Sequence, residues 1–270
     1  MNKSRKHQRR LMLNKLLMNR APLTTYLTLC TEYYDLVQHI RGVQALEFYM
    51  QYAKAAHGPI LEPMCGTGRF LIPMLEAGLA IEGFDASPYM LDALKKKYTH
   101  SEAVPVSQQF VEDFNSNKLY HLIFVPYGSW GLISDIANSK KSLANMYRHL
   151  APGGKLLLEI ETVASAPHDC GVWDRSVQSR ADGSSIALNT LVTYKPDTQI
   201  YKAVCRYESI VGNAIVATET EDFLMYLFRF DEMDQLLREV GFVNIKKYQD
   251  YAKTPVTDPN SPIIIYECTK

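Results

Sequence analysis

No stretch of the 270 residues approaches the roughly eighteen consecutive apolar residues of a membrane-spanning helix. Cysteine is scarce: Cys30, Cys65, Cys170, Cys205 and Cys268 are odd in number, widely spaced and in no C-x-x-C pair. That spacing argues against a disulfide framework or a structural zinc site and for a reducing compartment, so the cytoplasm is the expected location. Net charge is zero, which gives the chain as a whole no electrostatic reason to seek nucleic acid. Acid is missing from residues 1–31, which hold Lys3, Arg5, Lys6, Arg9, Arg10, Lys15 and Arg20; the remainder carries 22 basic against 29 acidic groups. A nucleic-acid or membrane contact, or an organelle-targeting peptide, would use such a tail. The plainer reading is a solvated or partly helical extension over residues 1–22. A secretory signal does not fit, because Leu11-Met12-Leu13 is followed at once by Asn14-Lys15. What is present, 47% apolar and 21% charged residues, suits one large α/β domain or two small ones.

The chain is organised around Pro59-Ile60-Leu61-Glu62-Pro63-Met64-Cys65-Gly66-Thr67-Gly68-Arg69-Phe70. A short apolar run breaks, turns through two glycines and resumes with the helical pattern of Leu71, Ile72 and Leu75. Strand, tight turn and helix in this order form the nucleotide end of a doubly wound sheet. Gly66 and Gly68 leave room for a ligand against bare backbone, and the helix start points unpaired N–H groups at it. Asp85 ends the next strand-like run, placed to hold ribose hydroxyls. A dinucleotide fingerprint needs a small residue where this chain has Leu71, which is too bulky for that role.

The pattern E-x-x-C-G-T-G-R with an acid after the second strand resembles the class I S-adenosylmethionine-dependent methyltransferases. His149-Leu150-Ala151-Pro152-Gly153-Gly154 repeats the resemblance further on, close to that family's Leu-x-Pro-Gly-Gly turn. The likeness runs over about residues 30 to 165 and returns near the C-terminus. It implies an α/β, Rossmann-like, seven-stranded and mostly parallel sheet, with helices on both faces and the last strand antiparallel. It also implies S-adenosyl-L-methionine as cofactor. The residues it assigns to that cofactor are Tyr33, Tyr34, Glu62, Met64, Cys65, Gly66, Thr67, Gly68, Arg69, Asp85, Ala86, Ser87, Met90, Phe110, Val111, Glu112, Pro126 and Tyr127. Arg69 is expected to pair with the methionyl carboxylate. The family commonly has glycine at Met64, so an ordinary backbone conformation is expected there.

Around that motif the pattern is mainly helical from Leu23 to His57, where Tyr33 and Tyr34 serve either as core or as a cover over the cofactor. Ser87-Pro88 starts a helix that ends at Lys95-Lys96-Lys97. Val106 to Val111, Leu119 to Val125 and Leu156 to Glu161 read as further strands, and His121 as a packed, hydrogen-bonded residue within one of them. Turn signals at 181–184, 195–198 and 211–213 separate alternating runs rich in Val, Ile, Thr and Tyr. They predict a small antiparallel insertion. The expected division is an extension at 1–22, a helical cap at 23–57, a core at 58–171 and 229–270, and a substrate-covering insertion at 172–228.

In-line transfer to a nitrogen or oxygen of a small molecule is the implied reaction, with positioning supplying most of the catalysis. Tyr127, Glu161 and His168 are the candidate catalytic or orienting groups; Ser129, Trp130 and Trp173 are candidate acceptor contacts. No metal site is expected. An RNA methyltransferase and a non-catalytic cofactor-binding relative are the rival readings, and the oligomeric state is left as monomer or homodimer. Neutral charge and the absence of an Asn/Asp-Pro-Pro-Tyr/Phe motif count against nucleic acid.

Overall fold

The computed structural model describes residues 23–38, 43–100 and 103–270, so the basic extension expected at 1–22 lies outside the described residues. Six α-helices are described: α1 (Thr28–Val37), α2 (Gln44–Ala55), α3 (Leu71–Glu76), α4 (Pro88–Lys97), α5 (Ile136–His149) and α6 (Glu232–Val240). Strands β1 (Ile60–Pro63), β2 (Ile81–Asp85), β3 (Val106–Gln108), β4 (Tyr120–Val125) and β5 (Leu150–Glu161) pair in parallel. Then β6 (Trp173–Ser179), β7 (Ser185–Lys195), β8 (Ile200–Val211) and β9 (Ala214–Tyr226) form a separate antiparallel sheet. The chain returns with β10 (Val243–Tyr248) and β11 (Ile263–Thr269), which pair antiparallel to each other and to β5. The large sheet has the order β10-β11-β5-β4-β1-β2-β3. It is a Rossmann-like sheet of seven strands.

Strand alternation sends apolar side chains to both faces, and helices cover each. Leu122 and Phe124 of β4 join Phe48 and Tyr49 of α2 and Met74 of α3 in one cluster. Their neighbours Ile123 and Val125 join Leu143 and Met146 of α5 and Met233 and Leu237 of α6 in the other. Local signals set the helix ends. Ser87 caps α4 by accepting the Met90 N–H at 3.2 Å, with Pro88 in the first turn and Lys95, Lys96 and Lys97 in the last. Gly241, at φ +111°, stops α6.

Helix α1 has no capping side chain of its own. The four-stranded sheet supplies one instead: Glu221 accepts the N–H groups of Tyr26 and Leu27 at 2.7 and 2.9 Å, and Glu219 accepts that of Leu29 at 2.6 Å. Carboxylates at a helix N-terminus satisfy orphan donors and oppose the macrodipole. Leu29, Cys30 and Tyr33 pack on Ile186, Ala203, Cys205 and Tyr207, so α1 and the sheet share a third apolar cluster.

The structure departs from the sequence pattern at four places. The helical stretch from Leu23 to His57 resolves into α1 and α2. The third strand stops at Gln108, because the chain tightens into a single 3-10 turn at Val111–Asp113. Strand β5 already begins at Leu150, passing through Gly153 at φ +74° with a register shift against β4. His121 is exposed rather than packed; its ring lies over Gly58, where a Cβ would fall 2.4 Å from it.

At the sheet's antiparallel edge Glu267 is buried. It accepts from Lys155 Nζ at 2.7 Å, Tyr52 Oη at 2.6 Å and Tyr248 Oη at 3.0 Å. Burial alone would raise its pKa, but these donors outweigh it and hold the carboxyl at about 2, below its ordinary 4.5. The folded value lies below the unfolded one, so the contribution is complete above pH 4.5 and is lost as pH falls toward 2. Stability followed against pH should decline across that window, and Glu267→Gln should flatten the decline. An identical acid limb in the variant would contradict the assignment.

Candidate functional site

A cavity of about 700 Å³ opens at the carboxyl ends of the parallel strands, where open α/β sheets bind ligands. Met64, Gly66, Asp85, Ala86, Met90, Phe110, Val111 and Glu112 form its floor after β1, β2 and β3. Tyr127, Gly128, Ser129 and Glu161 form one side after β4 and β5. Cys30, Tyr33 and Tyr34 of α1 close it from above, together with Leu188, Thr190, Tyr201, Ala203, Cys205, Tyr207, Phe223 and Met225 of the four-stranded sheet.

The floor is built by one turn. Cys65 N donates to Phe84 O at 3.1 Å, and Gly68 N to Cys65 O at 3.0 Å. Gly66, at φ +53°, has no atom within 4 Å of where a Cβ would stand, so its backbone faces open space. Gly68, at φ +85°, is packed: a Cβ would lie 2.8 Å from Leu94 Cγ. Met64 corrects the sequence reading. Its φ is +57°, the left-handed conformation that glycine takes at less cost, although the side chain is methionine. The close bond from Cys65 to β2 requires that turn, so the residue bears a cost of about 1 kcal/mol.

Asp85 fastens the turn to the next strand. Its Oδ2 accepts the Gly66 N–H at 2.9 Å and its Oδ1 the Ser87 N–H at 2.8 Å. Burial pushes the carboxyl up, while the N–H groups of Ser87, Gly66 and Ala86 pull it down. Thr67 Oγ1 donates to Asp35 Oδ1 at 2.6 Å, and Gln38 Nε2 donates to Thr67 Oγ1 at 2.7 Å, so the end of α1 clasps the turn from outside. Ser87 Oγ donates to Tyr26 O at 2.8 Å and joins the chain before α1 to the same point.

Of the residues read from the sequence, Tyr33, Tyr34, Met64, Gly66, Asp85, Ala86, Met90, Phe110, Val111, Glu112, Tyr127, Ser129 and Glu161 are brought together on the cavity wall. Glu62, Cys65, Thr67, Gly68, Arg69, Ser87 and Pro126 stand behind it. Cys65 is sealed against Gly83, and the Arg69 guanidinium lies 4.6 Å from the centre of the Tyr127 ring. Trp130 is turned into the core, where its Nε1 donates to Ser139 Oγ at 2.7 Å. Trp173 is 53% exposed on β6, and His168 is exposed in the preceding loop; neither lines the cavity. Tyr26, Gln109, Tyr201, Tyr207, Phe223 and Met225 do line it and were not singled out. The strict alternation of Tyr201, Ala203, Cys205 and Tyr207 was the available signal.

A nucleoside carrying a positive group fits these residues. The Gly66 backbone is bare and Asp85 stands beside it. Beneath the turn, Glu62 is buried with no hydrogen-bond partner for Oε2; burial and the Asp85 charge push its carboxyl well up, against one N–H bond from Leu71. Among the described residues no cluster of three or more His, Cys, Asp or Glu is arranged to hold a metal ion. No described helix is long and apolar enough to cross a membrane.

Residues 60–154 match the family model described as a methyltransferase domain. No curated protein matches the chain in sequence. Among solved structures, an S-adenosylmethionine-dependent methyltransferase from Clostridium acetobutylicum is 15% identical. The match covers 88% of this chain and 96% of that one, with a TM-score of 0.72. The sugar N-methyltransferase KedS8 from Streptoalloteichus is 17% identical over 92% of this chain and 96% of that one, with a TM-score of 0.71. CalS10, an amino pentose methyltransferase from Micromonospora echinaspora, is 17% identical over 93% and 100%, with a TM-score of 0.66. Residues 60–154 thus match a methyltransferase domain, and the chain shares the fold of these methyltransferases.

The packing at Gly68 is directly testable. Gly68→Ala forces a side chain onto Leu94 at an unfavourable φ, so denaturant unfolding should show a loss of about 1–3 kcal/mol. An unchanged midpoint would contradict the close approach.

Proposed function

We propose that this chain transfers a methyl group from S-adenosylmethionine to an amine of a small molecule. One observation carries the reading: acids line the cavity at both ends, Asp85 and Glu112 at one and Glu161 at the other, and among the described residues no lysine, arginine or histidine lines it. Acidic walls of low dielectric attract a sulfonium and an ammonium alike. An amine needs only to lose its extra proton before it attacks, whereas a hydroxyl needs a strong base. That KedS8 and CalS10 are named for sugar and amino pentose methylation accords with this.

The donor supplies a methyl group already activated for in-line displacement. The protein's contribution is binding and exclusion of water. Asp85 takes the ribose hydroxyls, and the floor from Phe110 to Glu112 takes the base. Arg69, behind Tyr127, puts positive charge near the methionyl carboxylate. Glu161 sits beside Gly128, where a Cβ would fall 3.1 Å from its carboxyl, and is the group that holds the acceptor ammonium and accepts its proton. Tyr127, Ser129 and the inner face of the four-stranded sheet complete the acceptor side and keep it dry.

Labelled donor incubated with a panel of amino sugars, amino acids and matched alcohols should give methylated nitrogen, and transfer to hydroxyl alone would overturn the amine reading. Asp85→Asn should weaken donor affinity about tenfold, the loss expected for one charge-assisted hydrogen bond. Unchanged affinity by calorimetry would remove Asp85 from the ribose site. Glu161→Gln should lower the rate with the amine about tenfold or more while leaving donor affinity in place. A wild-type rate would remove it from the acceptor site.

A further inference from the structure

Two residues before Glu161 on β5, and on the same face of the strand, Glu159 is 3% exposed. It does not line the cavity. Its Oε2 accepts the hydroxyls of Tyr49, from α2, at 3.1 Å and Tyr251, from the segment after β10, at 3.0 Å. The carboxylate also accepts the backbone N–H of Tyr127. Three donors from three separate segments therefore meet on one buried acid.

Tyr127 is the informative partner. It stands at φ +56° and Gly128 at +65°, so the chain leaves β4 through two consecutive left-handed residues. Tyrosine in that conformation persists only where its surroundings over-determine it. Here two things do so: Glu159 holds the N–H from below, and the ring lies against Phe70 at 5.3 Å and under the Arg69 guanidinium at 4.6 Å.

We infer that Glu159 is a positioning residue: it fixes the Tyr127–Gly128 turn and, through the Tyr127 ring, the Arg69 charge at the amino-acid end of the methyl donor. This rests on the donor reading above. Replacing the carboxylate by an amide leaves one acceptor oxygen where three donors converge, so an N–H or O–H is left facing an NH₂. The turn then has no fixed anchor, and the amino-acid end of the site loosens while the Asp85 end, held by its own bonds to Gly66 and Ser87, does not.

Two ligands separate these ends. S-adenosylhomocysteine carries the amino-acid part, and 5′-methylthioadenosine lacks it. For Glu159→Gln, calorimetry should show S-adenosylhomocysteine binding weakened about tenfold and methylthioadenosine binding within about twofold of wild type. Equal loss for both ligands would mark Glu159 as merely structural, and no loss for either would also overturn the inference. If Glu159→Gln does not fold, Tyr251→Phe keeps the ring and removes one hydroxyl. It should weaken S-adenosylhomocysteine about threefold and leave methylthioadenosine unchanged, and equal wild-type affinities would overturn the assignment. Wild-type protein that binds neither ligand would instead refute the donor reading itself.

Discussion

The site depends on one carboxylate held between two strands. Asp85 ends β2, yet both its oxygens are engaged by backbone N–H groups, one from the turn after β1 and one from the start of α4. These bonds offset part of the cost of burying the charge, and burial still holds the carboxyl above its ordinary value. They also hold Gly66 open toward the cavity, since a turn that drifted would lose the acceptor for its N–H. The tightness of Gly68 against Leu94 works on the other side of the same turn, seating α3 against α4. Floor geometry and strand packing are thus one constraint.

The roof is built differently. Helix α1 is not stable on local signals alone, because Leu27 cannot cap it. Its N-terminus borrows Glu219 and Glu221 from β9, its flank pairs Glu32 with Arg180, and its C-terminal end reaches Thr67 through Asp35. Cap and antiparallel sheet therefore form one cover, latched to the cofactor turn by a short hydrogen bond. The packing of the four-stranded sheet is connected to the turn after β1 through these contacts.

Much of the fold was legible in the sequence. The apolar runs of β1, β2, β4 and β5 end in glycine, proline or acid, and the insertion is bounded by the turn signals at 181–184, 195–198 and 211–213, where the hairpins fall. The cavity floor was legible too, since Gly66 and Asp85, picked out by residue type and spacing, both line it. Orientation was not. Trp130 follows a promising turn, but the left-handed Gly128 begins a tight coil that sends the indole inward to Ser139. His168 lies in a loop and Trp173 only opens β6, so no periodic pattern says which way either side chain faces. Met64 misled because residue type was taken to set φ, whereas the chain turns there between Pro63, the end of β1, and the Cys65 N–H bond to Phe84 O. Glu159 gave no signal, since an acid inside an apolar strand acquires meaning only from the tyrosines that α2 and the C-terminal segment bring to it.

A crystal structure of the chain with S-adenosylhomocysteine tests the central claim most directly. The account predicts ribose hydroxyls on Asp85, the amino-acid end toward Arg69 and Tyr127, and the sulfur facing the space between Glu161 and Tyr201. A ligand bound elsewhere, or one in this cavity with its ribose away from Asp85, would contradict it.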